Sequence, residues 1–253
     1  MPPDFLLKTY NVNFGLAGDP DTLAAVGAGA PDLVLLQETT PEWEQALRAA
    51  YGAAYPHQDF IEEPGAGGLG VLSRHPFVTD EILVSPAGWF PAWLLTVRTP
   101  TGAVQVLQVH LKPPYAERGG WFVGYWSTPR ERRLEIEAYL PYLDPALPTV
   151  VCGDFNERGG PALDAALAVG LRDALPRGED TWRWRVAGIE LEAPLDHVLY
   201  FGGLRPLSAE VQLLGRSDHL PVLVGFALEQ GGTTTPTRET PPPAAPTAPP
   251  PPR

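Results

Sequence analysis

Short runs dense in Val, Leu and aromatic residues recur along the chain between clusters of Gly, Pro, Asn and Asp, and such runs read as β-strands. The clearest lie at residues 5–11, 33–37, 70–73, 93–98, 104–111, 149–152, 195–200 and 220–228. Helical patterns are fewer. One at 21–28 follows Gly-Asp-Pro, and one at 41–50 opens with Pro41 behind Thr40, a capping residue ahead of a proline at the first helical position. A third, 130–143, follows Thr128-Pro129, and a fourth, 160–169, stops at Gly170. Strands outnumber helices, and the helices fall between them. Two sheets packed face to face with helices outside use these elements.

The polar positions are as informative as the apolar ones. FLLKTY runs into Asn11-Val-Asn13, LVLLQ into Glu38, VQVLQV into His110, and PTVVCG into Asp154-Phe-Asn156. Conversely, Asp196 opens LDHVLY, and Ser217-Asp218-His219 precede LPVLVGF. Strands of opposite direction bring these starts and ends to one edge of a sandwich. If extended, Asn11 and Asn13 share a face, as do Asp154 and Asn156. No apolar core needs a cleft of amides, carboxylates and imidazoles. A hard divalent ion with an anionic substrate does.

Composition sharpens this picture. The chain has 253 residues, 18 basic and 30 acidic, for a net charge of −12. Of its 31 prolines, nine fall in residues 233–253, which contain no Ile, Leu, Val, Met or aromatic residue. Such a segment cannot offset its ordering entropy by burial, so it reads as a disordered, Pro-rich tail. It is a linker or a weak interaction segment, with PxxP spacings such as Pro243-Ala-Ala-Pro246. Residues 1–232 then form one catalytic domain. The tail has Arg238 and Arg253 against Glu239, which leaves the domain at −13 and disfavours a basic nucleic-acid module. Clustering at Arg118, Arg130, Arg132, Arg133, Arg183 and Arg185 keeps a local basic track open. A lone cysteine, Cys152, in an apolar run excludes an intramolecular disulfide and a thiolate zinc cluster. No run has the ~20 apolar residues of a membrane span, and MPPDFLLKTYN lacks a secretory signal pattern, so a cytoplasmic monomer is the expectation.

YNVNFG, LLQE, LQVHL, CGDFNE, LDHVLY and SDHLP occur in the order seen in the endonuclease/exonuclease/phosphatase superfamily, which this chain resembles over about residues 5–228. The resemblance implies a four-layer α/β/β/α sandwich, its two mixed, mainly antiparallel sheets flanked by helices. It also implies Mg²⁺-dependent phosphoester hydrolysis, with Mn²⁺ as a possible substitute, by in-line attack of a Mg-associated water activated by Asp154. By the same resemblance, Glu38 is the principal metal ligand, with Asn11 and Asn13 as neutral oxygen ligands and Asp218 reaching the metal or a second one. Asn156 donates to a phosphoryl oxygen, His219 contacts the phosphate, and Asp196 holds His219. His110 resembles the second imidazole of the nuclease I-like and sphingomyelinase-like branches.

Taken singly, each residue has a bland reading: Asn11 and Asn13 as turn-formers, Glu38 as a surface acid, His110 as a structural histidine. One cleft explains them together. Around it, Lys112 and Arg158 are candidate substrate contacts, with solvated or salt-bridged side chains as the alternative. The loop 113–129 places Trp121 and Phe122, with Tyr125 and Trp126, beside the cleft as a lid, a recognition wall or a small core. Trp89-Phe90 and the strand at 181–185 border the same rim. The expected substrate is a phosphoester of unidentified structure, diester or monoester. A DNA endonuclease or exonuclease is the alternative, and a catalytically silent binding module a further one.

Overall fold

The computed structural model describes residues 2–114, 128–175, 179–186 and 188–229. Trp121, Phe122 and most of the aromatic-rich loop lie outside these residues, as do Arg118 and the Pro-rich segment 233–253.

Among the described residues, two six-stranded mixed sheets pack face to face between helices. The first contains β1 (Phe5–Asn11), β2 (Leu33–Gln37), β3 (His57–Ile61), β4 (Leu69–Ser73), β13 (Leu204–Val211) and β14 (Val222–Leu228), in the order β13-β14-β1-β2-β4-β3. The second contains β5 (Phe77–Leu83), β6 (Ala92–Thr99), β7 (Gly102–His110), β8 (Thr149–Asp154), β9 (Arg172–Asp173) and β12 (Asp196–Phe201), in the order β5-β6-β7-β8-β12-β9. β1 and β2 run parallel, as do β7 and β8, and the other pairs are antiparallel. A separate hairpin joins β10 (Trp182–Val186) to β11 (Ile189–Ala193).

The layers follow from the two-residue strand period. Leu33 and Leu35 meet Val104, Val106, Val150, Cys152 and Val198 in the core between the sheets. Their alternates Val34 and Leu36 pack under α1 (Pro20–Gly27) and α2 (Pro41–Tyr51). Leu107, Val109, Val151 and Leu199 pack under α3 (Pro129–Tyr139) and α4 (Pro161–Ala168). Strands buried on both faces have no polar side to show, which is why β2 and β8 read as unbroken apolar runs. One exception is the buried Lys8, whose Nζ donates to Ala25 O and Ala28 O, both at 2.6 Å, at the C-terminal end of α1.

The expected helices form within one or two residues, except that the third ends at Tyr139 and continues as a 3₁₀ turn, Leu140–Tyr142, around Pro141. Several strands were not expected: β3, β5, β9, β11 and β13. The sheet members among them all lie at sheet edges, where exposure removes the apolar density that marks a strand in sequence. Among the described residues, no helix is long and apolar enough to cross a membrane.

Candidate active site at the sandwich edge

The residues that fill the inter-sheet core lead directly to the site. Continuing the inward column of β7 past Val106 gives Gln108 and His110, and that of β8 past Cys152 gives Asp154. β12 begins its inward column with Asp196, and β1 ends its own with Asn11. Register completes the convergence, because Asp154 is the ladder partner of both His110 and Asp196. Below them lies a transitional layer in which Thr9 and Gln37 bond each other and Gln108 Nε2 donates across the sheets to Leu36 O at 2.7 Å.

Asp154 is the hub. Its Oδ2 accepts from Asn11 Nδ2 at 3.1 Å, and the same amide nitrogen reaches Glu38 Oε1 at 3.0 Å. His219 Nε2 and His110 Nε2 approach Oδ2 at 3.5 and 3.6 Å, electrostatic contact but too long for good hydrogen bonds. Its Oδ1 accepts the Asn156 N–H at 2.8 Å. His219 Nδ1 lies 2.8 Å from Asp196 Oδ2, so Nδ1–H donates to the carboxylate and Nε2 is left turned toward Asp154. Asp196 is anchored in turn by Thr181, whose Oγ1 accepts the N–H groups of Leu195 and Asp196 at 2.9 Å. Ser217 Oγ donates to Asn11 O at 2.8 Å and accepts the His219 N–H at 3.2 Å.

Burial in one small volume sets the charges. Desolvation raises the Glu38 carboxyl above its ordinary range, against the pull of Asn11, the Phe14 N–H and His219. Desolvation likewise raises Asp154, opposed by His219. His110 is lowered by burial despite Asp154 and stays neutral. For His219, burial disfavours the charged ring, but Asp196 and Asp154 outweigh it and lift the pKa to about 10.

Three of the four non-glycine residues with positive φ among the described residues belong to this site: Asn13 at 62°, Glu38 at 63° and Asn156 at 52°. The extended backbone expected around Asn13 and Asn156 is therefore replaced by left-handed turns. These turns send Asn13 Nδ2 to Asp218 Oδ1 at 3.1 Å and Asn156 Nδ2 to Leu111 O at 2.9 Å. The fourth, Ala30, is outside the site.

The structure thus gathers Asn11, Glu38, His110, Asp154, Asn156, Asp196 and His219. Asn13 and Asp218 form a flank, with Trp182 Nε1 donating to Asp218 Oδ2 at 3.0 Å, so both oxygens of that carboxylate already have donors. Lys112 turns away to pair with Glu131 and lies over the Trp89 ring, 5.2 Å from its centroid. Exposed Arg158 donates to Glu192 O at 2.7 Å, on the hairpin. Sequence reasoning put the strand at 181–185 and Trp89-Phe90 at the rim without giving Thr181 or Phe90 a role; Thr181 anchors Asp196, and the Phe90 ring lies tilted against the His110 ring with centroids 4.4 Å apart. Of the clustered arginines, four are paired with acids. Arg132 pairs with Glu157, Arg133 with Glu137, Arg183 with Glu192 and Arg185 with Glu190.

The donor set suits a hard cation. Glu38 and Asp154 converge on one amide nitrogen, and among the described residues no Lys or Arg pairs with Glu38, Asp154, Asp196 or Asp218. Ligand-capable atoms of Asp154, Asp196 and His219 also lie within 4.8 Å of one another. His219 Nδ1 is committed to Asp196, however, so the carboxylates of Glu38 and Asp154 are the better ligands.

The family model described as Endonuclease/Exonuclease/phosphatase family matches residues 9–219, well over half the chain, and the chain belongs to that family. Its members hydrolyse phosphoester bonds and generally depend on a divalent metal. No curated protein matches at a significant level of sequence similarity. Among solved structures, TDP2 from D. rerio complexed with single strand DNA product is 17% identical with a TM-score of 0.67, covering 88% of this chain and 98% of that one. An AP endonuclease from Archaeoglobus fulgidus is 19% identical with a TM-score of 0.66, covering 88% and 99%. An endonuclease/exonuclease/phosphatase from Beutenbergia cavernae is 22% identical with a TM-score of 0.63, covering 88% and 71%. At these identities the likeness is one of fold.

Proposed function

We propose that this family member is a Mg²⁺-dependent phosphoesterase that hydrolyses small phosphoesters by in-line attack of a water activated at Asp154. The observation that carries the reading is the convergence of Asn11, His110 and His219 on one buried carboxylate, Asp154, with Glu38 on the same Asn11 amide and, among the described residues, no Lys or Arg to neutralise either acid. Glu38 and Asp154 would hold the Mg²⁺, with Asn11 beside them. When bound, the ion supplies positive charge against the phosphoryl oxygens and offsets the acidity of the pocket.

The chain's own residues supply the rest. Buried Asp154, at the centre of the cluster, would orient the attacking water and take a proton from it. Charged His219, held by Asp196, presents Nε2–H to a phosphoryl oxygen and strengthens that contact as negative charge grows there. Asn156 has one amide N–H on Leu111 O, so its second is free to donate to the phosphate. Neutral His110, tilted against the Phe90 ring, stands next to Asp154 to contact the leaving oxygen.

The test is a panel of bis-p-nitrophenyl phosphate, p-nitrophenyl phosphate and plasmid DNA with Mg²⁺ or Mn²⁺. Turnover that Asp154→Asn abolishes while the fold persists is the expected result; no turnover on any substrate overturns the reading. A second reading, DNA cleavage, draws on the AP endonuclease and the TDP2 bound to a DNA product among the structural neighbours. It would show as plasmid cleavage that falls steeply with salt.

A further inference from the structure

Past the ends of β7 and β8 the backbone ladder stops and side chains continue it. The last rung is the Leu111 N–H on Asp154 O at 2.8 Å. Next comes Asn156 Nδ2 on Leu111 O. Beyond that, Arg132 reaches in from the first turn of α3, buried to 4% exposure. Its Nη1 donates to Lys112 O at 3.2 Å and to Thr128 Oγ1 at 2.7 Å, and its Nε donates to Glu157 Oε2 at 3.2 Å. One guanidinium therefore bridges the residue two places after His110 and the residue directly after Asn156.

Glu157 is as firmly held. Its Oε1 accepts the Leu163 N–H at 2.8 Å, capping α4 where the N-cap position, Gly160, has no side chain to do so. Its backbone carbonyl faces His197 Nε2 at 3.0 Å, while His197 Nδ1 meets Asp173 Oδ2 at 3.0 Å. On the other side, Glu135 accepts the Lys112 N–H at 2.9 Å and the Ser85 hydroxyl at 2.6 Å. A buried ion pair seldom stabilises a fold more than apolar packing of the same volume would; its best-attested use is to fix registry.

We propose that Arg132 is a positioning residue for the hydrolysis: by joining Lys112 O to Glu157 it sets the separation of the His110 and Asp154–Asn156 chain ends. The kinetic part rests on the phosphoesterase reading; the structural part does not. His110 Nε2 sits 3.6 Å from Asp154 Oδ2, and the left-handed turn at Asn156 aims its side-chain amide at Leu111 O, 2.9 Å away. A displacement of about 1 Å at such a site costs about 100-fold in rate.

The test is the double variant Arg132→Met/Glu157→Gln, which leaves no unpaired buried charge and keeps the oxygen that caps α4. With bis-p-nitrophenyl phosphate, kcat should fall about 100-fold with little change in KM. Adding Asn156→Ala should cost less than it does in the wild-type background, because the double variant has already lost part of the placement by which Asn156 meets the phosphate. In the metal-free chain, NMR resonances of the His110 ring and the Asn156 side-chain amide should move. Those of His219, held by Asp196 from another strand, should stay. Arg132→Lys is read the same way if the double variant does not fold. A folded variant with wild-type kcat, strictly additive losses, or unmoved His110 and Asn156 resonances overturns the inference. If those resonances move while the wild-type chain hydrolyses no ester, the positioning stands and the phosphoesterase reading falls.

Discussion

Asp196→Asn removes one charge and almost no volume, so it isolates what the carboxylate does for His219. At the 2.8 Å between Nδ1 and Oδ2, an effective dielectric of about 20 gives an attraction of about 6 kcal/mol, or about 4 pKa units. Subtracting that from a His219 pKa of about 10 places the variant near about 6. At pH 7.5 the ring therefore passes from charged to mostly neutral, and Nε2 no longer offers a charged donor to phosphate. Loss of one such donor costs about 10²–10³ in kcat. A pKa raised on folding also stabilises the fold: that contribution is full below the unfolded value and is lost as pH rises through about 10. In EDTA, unfolding free energy of the wild type should decline from near neutral pH to about pH 10 by this term, and Asp196→Asn should lack the decline. The assays are a ring-carbon NMR titration of His219 and denaturant unfolding across that range. Mg²⁺ added to the wild type should lower the His219 pKa, since a cation held by Glu38 and Asp154 repels the imidazolium. If His219 in the variant still titrates above about 9, Asp154 alone sustains the charge and the reasoning fails.

Glu38→Gln should raise the Mg²⁺ concentration for half-maximal turnover at least about tenfold; an unchanged midpoint removes Glu38 from the metal. Gly153→Ala should destabilise by more than about 3 kcal/mol in denaturant unfolding. At φ 137° its Cβ would fall 1.9 Å from Val109 O, so a variant of wild-type stability would mean that β7 can give way. Burial lowers the Lys8 pKa to about 8, with Glu210 opposing. The unfolded chain then binds more protons between about pH 8 and 10.5, and this group adds about 3 kcal/mol of stability as pH rises through that window. The unfolding free energy of the wild type minus that of Lys8→Met should rise by about 3 kcal/mol over that range; a constant difference would show that the ammonium is not disfavoured by burial.

Much of the site was legible because it continues the core pattern. Alternation along VQVLQVH and TVVCGD places His110 and Asp154 on the face that carries Val106 and Cys152, and strand direction does the rest. What the period cannot show is where it breaks. Asn13 and Asn156 leave the extended region, so their side chains point to Asp218 and Leu111 instead of along the strand face. Edge strands such as β5, with Val78 and Ile82 exposed, lack the density that reveals central ones. Contacts remote in sequence, such as Thr181 on Asp196 or Arg132 on Glu157, depend on the assembled fold and leave no local trace.

Side-chain pairing also changes what the acidic charge means for the substrate. From sequence, Arg183 and Arg185 counted as potential phosphate contacts; in the hairpin they face Glu192 and Glu190 at 2.9 and 3.1 Å. Such exposed pairs are weak and can be broken. A polyanion that recruited these arginines would still set two released carboxylates beside its own phosphates. Buried Arg132 is committed to Glu157 and to two further acceptors, and Lys112 to Glu131. Among the described residues, the positive charge left within the cleft for an anion is the His219 imidazolium together with whatever cation Glu38 and Asp154 hold. Those two charges suit one phosphoryl group. A long backbone would gain little by extending past them, so turnover of a small ester should depend far less on salt than DNA binding does.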